Sequence, residues 1–243
     1  MSRTVAIIQA RTGSTRLPGK VLLPLLDKPI LAHVVERTRR ARLVDEVVVA
    51  TTRLAADDAI ATLAKEAGWA LERGSEADLL DRYVEAARAH SADVVVRITS
   101  DCPLIDPDLI DDVVRALEAS GADYASNVLE PRSYPRGLDV EAVTFDALER
   151  ANVADTDPAW REHATAYVYR HPESFRLARV ASPEDYSGHR WCVDTAEDLD
   201  LVTHIYDALG NDRFGWREAL EVVRAHPGWD RINQGVEQKS VPS

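Results

Sequence analysis

Cysteine is almost missing from this chain of 243 residues, which has only Cys102 and Cys192. Two thiols make no disulfide framework, and without a C-x-x-C pair or a histidine partner they exclude structural zinc. Both are expected as small apolar strand residues. No apolar run approaches the roughly 20 residues of a membrane helix. The strand expected from Thr4 leaves no room for a signal peptide, so a cytoplasmic protein without membrane partners is expected. A broad basic face is also lacking. The chain has 29 basic against 41 acidic residues, a net charge of −12, which argues against binding a nucleic-acid backbone. The dinucleotide fingerprint G-x-G-x-x-G does not occur. Gly13 and Gly19 are six apart and Val21 follows Lys20, so the Walker pattern is absent too. Ser14 lacks the G-x-S-x-G setting of a hydrolase nucleophile. His33, His90, His171, His189, His204 and His226 are scattered without ligand spacing.

One local absence points the other way. Residues 1–26 contain no acid, yet they carry Arg3, Arg11, Arg16 and Lys20, which leaves the rest of the chain at about −16. An apolar strand, Val5–Ile8, runs directly into a loop holding Arg11, Gly13, Ser14, Arg16, Gly19 and Lys20. Such a loop offers backbone N–H groups at close approach and fixed positive charge, the two requirements of a polyphosphate site. It reads as a positive island in an acidic protein. Lys20 is expected to be repelled by Arg11 and Arg16 in the free protein, so Lys20→Met should leave the melting temperature unchanged or raise it.

The length and a hydrophobic content of 45% suit one α/β domain with a full core. Strands are expected at Val5–Ile8, Glu46–Thr51, Trp69–Glu72 and Val94–Ile98. Helices are expected at 29–40, 56–67, 78–90 and 107–119. This alternation predicts a doubly wound, mostly parallel sheet with ligands beyond the carboxyl ends of the strands. The pattern breaks after about Tyr124. Residues 127–175 read as a small inserted lobe for acceptor binding or dimerisation, with helices at 144–152 and near 159–170. Strands at 176–180 and 190–193 and helices at 196–209 and 216–225 complete a single domain over 1–234. A flexible tail is expected over 235–243.

Two carboxylates stand out by position. Asp101 follows the strand Val94–Ile98, and Asp194 follows Arg190-Trp-Cys-Val193. Two convergent carboxylates beside a triphosphate imply Mg²⁺ held by carboxylate and phosphate oxygens. Each also has a structural reading, as a turn residue or, for Asp194, as the cap of the next helix. In the inserted region Arg161 and His163, and Arg136, Asp139 and Glu141, form two polar sets. They suit a small anionic acceptor or, equally, a solvated surface.

The loop resembles the nucleotide loop of the cytidylyltransferases that activate acidic sugars. The 3-deoxy-manno-octulosonate type has A-R-x-x-S-T-R-L-P-G-K, matched here by Ala10, Arg11 and Ser14 to Lys20. Asp101-Cys-Pro-Leu-Ile105 and Val193-Asp-Thr-Ala-Glu-Asp-Leu199 follow in the family's order. The segments 73–83, 133–141 and 161–163 are similar to the spore-coat-polysaccharide branch. The resemblance implies a nucleotide-diphospho-sugar transferase-like fold, catalytic Arg11, Lys20, Asp101 and Asp194, and Mg²⁺ on the two aspartates. It implies CTP held by Ala10, Arg11, Gly13, Ser14, Arg16, Lys20, Arg73, Ser75, Thr99 and Ser100, and a homodimer. In one respect the chain departs from the octulosonate pattern: Thr99-Ser100 stands where those enzymes have Gln-Gly before the first aspartate. A glycosyltransferase or a non-catalytic nucleotide binder are the alternative functions.

Overall fold

The computed structural model describes residues 2–238. Strand β1 (Thr4–Gln9) is the axis of the sheet. Its Val and Ile side chains are buried on both faces, as a central parallel strand requires. A short hairpin, β2 (Pro24–Leu25) and β3 (Lys28–Pro29), leads into α1 (Ile30–Thr38). The alternation continues through β4 (Glu46–Thr52), α2 (Asp58–Glu66), β5 (Ala70–Gly74), α3 (Leu79–Ala89), β6 (Val94–Thr99) and α4 (Pro107–Ser120). These elements follow the periodicity expected of them. The ends of α4 show why: Asp106 accepts from the N–H groups of Asp108 and Leu109, Pro107 opens the helix, and Gly121 closes it in the left-handed region.

In the second half the helices expected at 144–152, 196–209 and 216–225 and the strand at 176–180 are present, but the inserted region is built differently from its expectation. It contains β7 (Tyr124–Ser126), β8 (Glu141–Thr144), α5 (Phe145–Ala154), α6 (Pro158–Arg161), α7 (Ala166–Arg170), β9 (Leu177–Arg179), α8 (Ala196–Leu209) and α9 (Trp216–Ala225). The seven-stranded sheet has the order β5-β4-β1-β6-β8-β7-β9. Strand β8 runs antiparallel to both neighbours, and the other adjacent pairs are parallel. Residues 127–175 are therefore interwoven with the main sheet instead of forming a lobe apart, because β8 pairs directly with β6. The single helix expected near 159–170 is two short ones, broken by turns over residues 162–165. The strand expected at 190–193 makes only an isolated bridge between Arg136 and Arg190. Of the expected tail, residues 235–238 lie against the protein through hydrogen bonds, and 239–243 fall outside the described residues.

Alternate residues of the central strands feed two cores. Ala6, Ile8, Val47, Val49, Val96 and Ile98 pack under α1, α4, α8 and α9. Val5, Ile7, Val48, Ala50 and Val95 pack under α3, α5 and α7. The parallel register sets Gln9 beside Ala50 and Thr99, so the loops that leave β1 and β6 open on one edge. Among the described residues no helix is long and apolar enough to cross a membrane.

Candidate active site

The loop after β1 is shaped by its own hydrogen bonds. Asp57, buried at the start of α2, accepts from the backbone N–H of Thr12 at 2.7 Å and from its hydroxyl at 2.8 Å. Burial alone would push the Asp57 carboxyl up. The donors Thr52 and Thr12 hold it below the ordinary carboxylate value instead. Thr12 in turn accepts from the N–H groups of Ser14 (2.8 Å) and Gly19 (3.1 Å). Gly19 adopts φ 67°, a left-handed conformation that turns the chain into a single 3₁₀ turn beginning at Lys20. That turn buries the lysine and points it inward.

Lys20 Nζ donates to Asp101 Oδ2 and to Asp194 Oδ1, each at 2.7 Å. The expected repulsion of Lys20 by its loop neighbours is therefore corrected, since the ammonium has two carboxylate partners. Burial opposes its charge, but Asp101 and Asp194 outweigh it and raise its pKa well above the ordinary lysine value. Burial likewise opposes both carboxylates, and the Lys20 ammonium holds each below its ordinary value. Asp194 gains two further partners, Arg190 Nη2 at 2.7 Å and Arg16 Nη2 at 2.9 Å.

Backbone contacts bring the two aspartates together across 93 positions of sequence. The N–H of Val193 donates to the carbonyl of Asp101 at 2.8 Å. On its other side the segment 189–191 is laced to Arg136 through two backbone bonds of 3.0 and 2.7 Å. Gly137 permits this approach. A Cβ there would lie 2.5 Å from the nitrogen of Cys192, and φ is +98°. The helix cap, the alternative reading of Asp194, is provided by its neighbour. Thr195 and Asp198 form a reciprocal capping box on α8, which leaves the Asp194 carboxylate directed at Lys20.

These groups line one cavity of about 300 Å³. Ala10, Arg11, Gly13, Ser14, Arg16, Lys20, Thr99, Ser100, Asp101 and Asp194 all border it. So do Gln9, Thr15, Glu76, Leu79 and Arg82, which sequence reasoning did not select, and Glu162, which lies between the expected Arg161 and His163. Gln9 had a legible signal, a polar residue ending an apolar strand. Arg82 had none, because an arginine on an amphipathic helix looks solvated. Here it is buried, and its Nε has no partner among the described residues. The charged lining consists of four cations (Arg11, Arg16, Lys20, Arg82) and four carboxylates (Glu76, Asp101, Glu162, Asp194).

The remaining expected residues lie outside this cavity. Arg73 donates to the carbonyls of Thr52 and Leu54 and pairs with Asp58. Ser75 Oγ accepts from the N–H of Asp78. Asp139 forms a two-pronged pair with Arg132 at 2.7 and 3.0 Å. Glu141 is buried against Arg97, Tyr124 and Thr165. Arg161 binds Asp78 and the carbonyls of Asn152 and Asp155. Arg136 borders a separate cleft formed with residues 187–190 and 230–238. His163 is half-buried beside its neighbour Glu162, and burial lowers its pKa. Asp139, Glu141 and Arg161 are thus each held in an ion pair within the fold, and Glu141 reaches its partner because β8 enters the sheet where a surface hairpin was expected. Burial raises both thiols, Cys102 and Cys192, so neither is a reactive thiolate.

Residues 5–210 match the family model described as cytidylyltransferase. The chain belongs to the cytidylyltransferase family. It is 48% identical to the 3-deoxy-manno-octulosonate cytidylyltransferase of Anaeromyxobacter dehalogenans over 228 residues, 93% of this chain and 85% of that protein. It is 33% identical to the spore coat polysaccharide biosynthesis protein SpsF of Bacillus subtilis over 217 residues, 86% of this chain and 89% of that protein. A cytidylyltransferase structure from Leptospira borgpetersenii superposes with a TM-score of 0.90 at 34% identity, covering 99% of this chain and 100% of that one. The mostly parallel sheet is thus that of a nucleotidyltransferase. Among the described residues of this cytidylyltransferase, no cluster of three or more His, Cys, Asp or Glu side chains is arranged to hold a metal ion. Two carboxylates alone fit a hard cation that completes its shell with phosphate oxygens and water. Mg²⁺ prefers that arrangement over an all-protein cage.

Proposed function

We propose that this cytidylyltransferase transfers CMP from CTP to a small acidic acceptor, a sugar acid, sugar phosphate or phosphonate, for surface polysaccharide synthesis. The acceptor oxygen attacks the α-phosphorus, the α–β phosphoanhydride bond breaks, and pyrophosphate leaves. The observation that carries this reading is Lys20 Nζ at 2.7 Å from both Asp101 and Asp194 at the mouth of the β1 loop. A cation that must hold phosphate and two carboxylates able to hold a metal share one point in space.

Arg11, Arg16 and Lys20 bind the triphosphate, assisted by backbone N–H groups near Gly13 and Ser14. Arg11 makes no ion pair among the described residues and so offers its whole guanidinium to phosphate oxygens. Lys20 exchanges its carboxylates for the phosphate oxygens that gain charge as pyrophosphate departs. Asp101 and Asp194 would hold Mg²⁺, which supplies charge neutralisation at the reacting phosphate. Catalysis is alignment and charge stabilisation without a covalent enzyme intermediate.

The test is pyrophosphate release from CTP across a panel of acidic sugars, sugar phosphates and phosphonates. CTP should exceed UTP, because the 4-amino and 4-oxo groups have opposite hydrogen-bond polarity and a mismatched buried group is left unpaired. No release with any member of the panel, or equal rates with CTP and UTP, counts against the reading.

A further inference from the structure

Asp194 is held from behind by a layer of buried polar groups that extends into the chain's last described residues. Arg190 Nη2 donates to Asp194 Oδ2 at 2.7 Å and to Asp198 Oδ2 at 3.1 Å, while its Nε donates to Asp198 Oδ1 at 2.9 Å. Asp198 Oδ2 also accepts from the N–H of Asp194 at 2.9 Å, so it fixes both the backbone and the side chain of Asp194. Asn233 closes this layer. It is 5% exposed, and its Nδ2 donates to the carbonyl of Arg190 and to Asp198 Oδ1, both at 2.9 Å. Gln238 Oε1 accepts from Arg190 Nη1 at 2.6 Å, and the Glu237 carbonyl accepts from Arg16 Nη1 at 3.0 Å. Thus both guanidiniums that pair with Asp194 are tied to residues 233–238, beyond the region matched by the family model.

The geometry points to residues 233–238 as a working part of the active site, with Asn233 and Arg190 as positioning residues for Asp194. The inference rests on the reading of Asp194 as a metal ligand. Its physical basis is rotamer control. A carboxylate on a short side chain can turn either oxygen toward a cation, and a rigid fork fixes which one faces the cavity. In this site Arg190 and the cavity-lining Arg16 both take Oδ2, and Oδ1 is left to Lys20. Arg190 is itself aimed by Asp198 and Asn233 together. Partners one step behind a metal ligand typically contribute about 10–100-fold in metal affinity.

The experiment measures Mn²⁺ binding by electron paramagnetic resonance with CTP present, alongside kcat, the KM for CTP and the melting temperature. Two variants are compared with wild type. Asn233→Asp keeps the side-chain volume, removes both donors and sets a carboxylate against Asp198. Arg190→Lys keeps a charge but replaces the planar fork with one nitrogen, which cannot reproduce the three bonds from Nε and Nη2 to Asp194 and Asp198. Each folded variant should bind Mn²⁺ about 10–100-fold more weakly. The fall in kcat should recover at high Mn²⁺, and the KM for CTP should move less than kcat at limiting metal. A purely structural role would lower the melting temperature without metal rescue. Wild-type Mn²⁺ affinity in either folded variant would overturn the positioning role. If Asn233→Asp fails to fold, Arg190→Lys decides alone. A wild-type chain that binds neither Mn²⁺ nor CTP would overturn the functional reading and this role with it.

Discussion

The ammonium of Lys20 has two tasks that a substitution separates. In the free protein it neutralises two carboxylates, and in the proposed reaction it meets phosphate. Lys20→Met leaves Asp101 and Asp194 facing each other across a cavity, so the melting temperature should fall. The cost is roughly 1–3 kcal/mol, below the 3–5 kcal/mol of a sealed pair because the cavity admits water. The pH dependence has a definite sign. The folded pKa of both aspartates is lowered, so their contribution is present above the unfolded value of about 3.9 and is lost as pH falls through the folded values. The folded pKa of Lys20 is raised, so its contribution is complete below about 10.4 and is lost only as pH climbs past that. The melting difference between wild type and Lys20→Met should therefore be constant from about pH 5 to 9 and shrink below about pH 4. Thermal melts at several pH values check this, and an equal or higher melting temperature for the variant at neutral pH would refute the pairing. In turnover, Lys20→Met should lower kcat more than it raises the KM for CTP. Asp101→Asn and Asp194→Asn should each lose roughly 10²-fold or more in kcat, read by pyrophosphate release with Mg²⁺ titrated.

At the level of elements, the antiparallel strand β8 has the largest effect on the reading of the site. It places Glu141 opposite Arg97 on β6, and the carboxylate also accepts from Tyr124 and Thr165. Glu141→Gln should destabilise the fold by about 3–5 kcal/mol, since it leaves the Arg97 charge buried without its partner. The KM for the acceptor should stay unchanged where the variant is folded. A large KM effect with an unaltered melting temperature would return Glu141 to the acceptor site. Helix α8 supplies a second prediction. Thr195→Ala removes only the hydroxyl that accepts from the N–H of Asp198, a cap worth about 1 kcal/mol, while the Asp198 carboxylate keeps Arg190, Asn233 and the N–H groups of Asp194 and Thr195, so stability should fall in thermal melts and the Mg²⁺ dependence of kcat should stay unchanged.

These same elements show what the sequence could and could not reveal. Between β1 and α4 the strands β1, β4 and β6 are apolar runs, and α2, α3 and α4 each have a capping aspartate or a closing glycine, so local chemistry was enough to read them. The loop after β1 and Asp101 were legible for the same reason, as polar residues at the ends of such strands, whereas Asp194 follows a segment that forms no strand. Strand β8 is four residues long, and its one charged member, Glu141, is satisfied only by partners on other elements. Nothing in 141–144 distinguishes it from a surface hairpin until the pairing with β6 is known. The segment 189–193 escaped for a related reason. It is held by the Gly137 turn and by the Asp101 backbone, contacts that local periodicity does not encode.

Across the whole molecule, the balance of four cations and four carboxylates around the cavity has a kinetic consequence. A pocket whose charges cancel has little far field of its own, so an approaching triphosphate feels mainly the net −12 of the chain. The acid-free N-terminal segment would have suggested electrostatic guidance, but carboxylates from remote positions remove it. The association rate of Mg·CTP, followed by stopped-flow fluorescence, should rise or stay level as ionic strength increases. The screening length shrinks from about 30 Å at 0.01 M to about 8 Å at 0.15 M. The dissociation rate should rise with salt through the direct phosphate contacts. A steep fall in association rate over that range would mean that the guanidiniums of Arg11 and Arg16 act at long range after all. Otherwise the nucleotide arrives against a weak barrier, and selection takes place only after contact, when Lys20 releases its carboxylates.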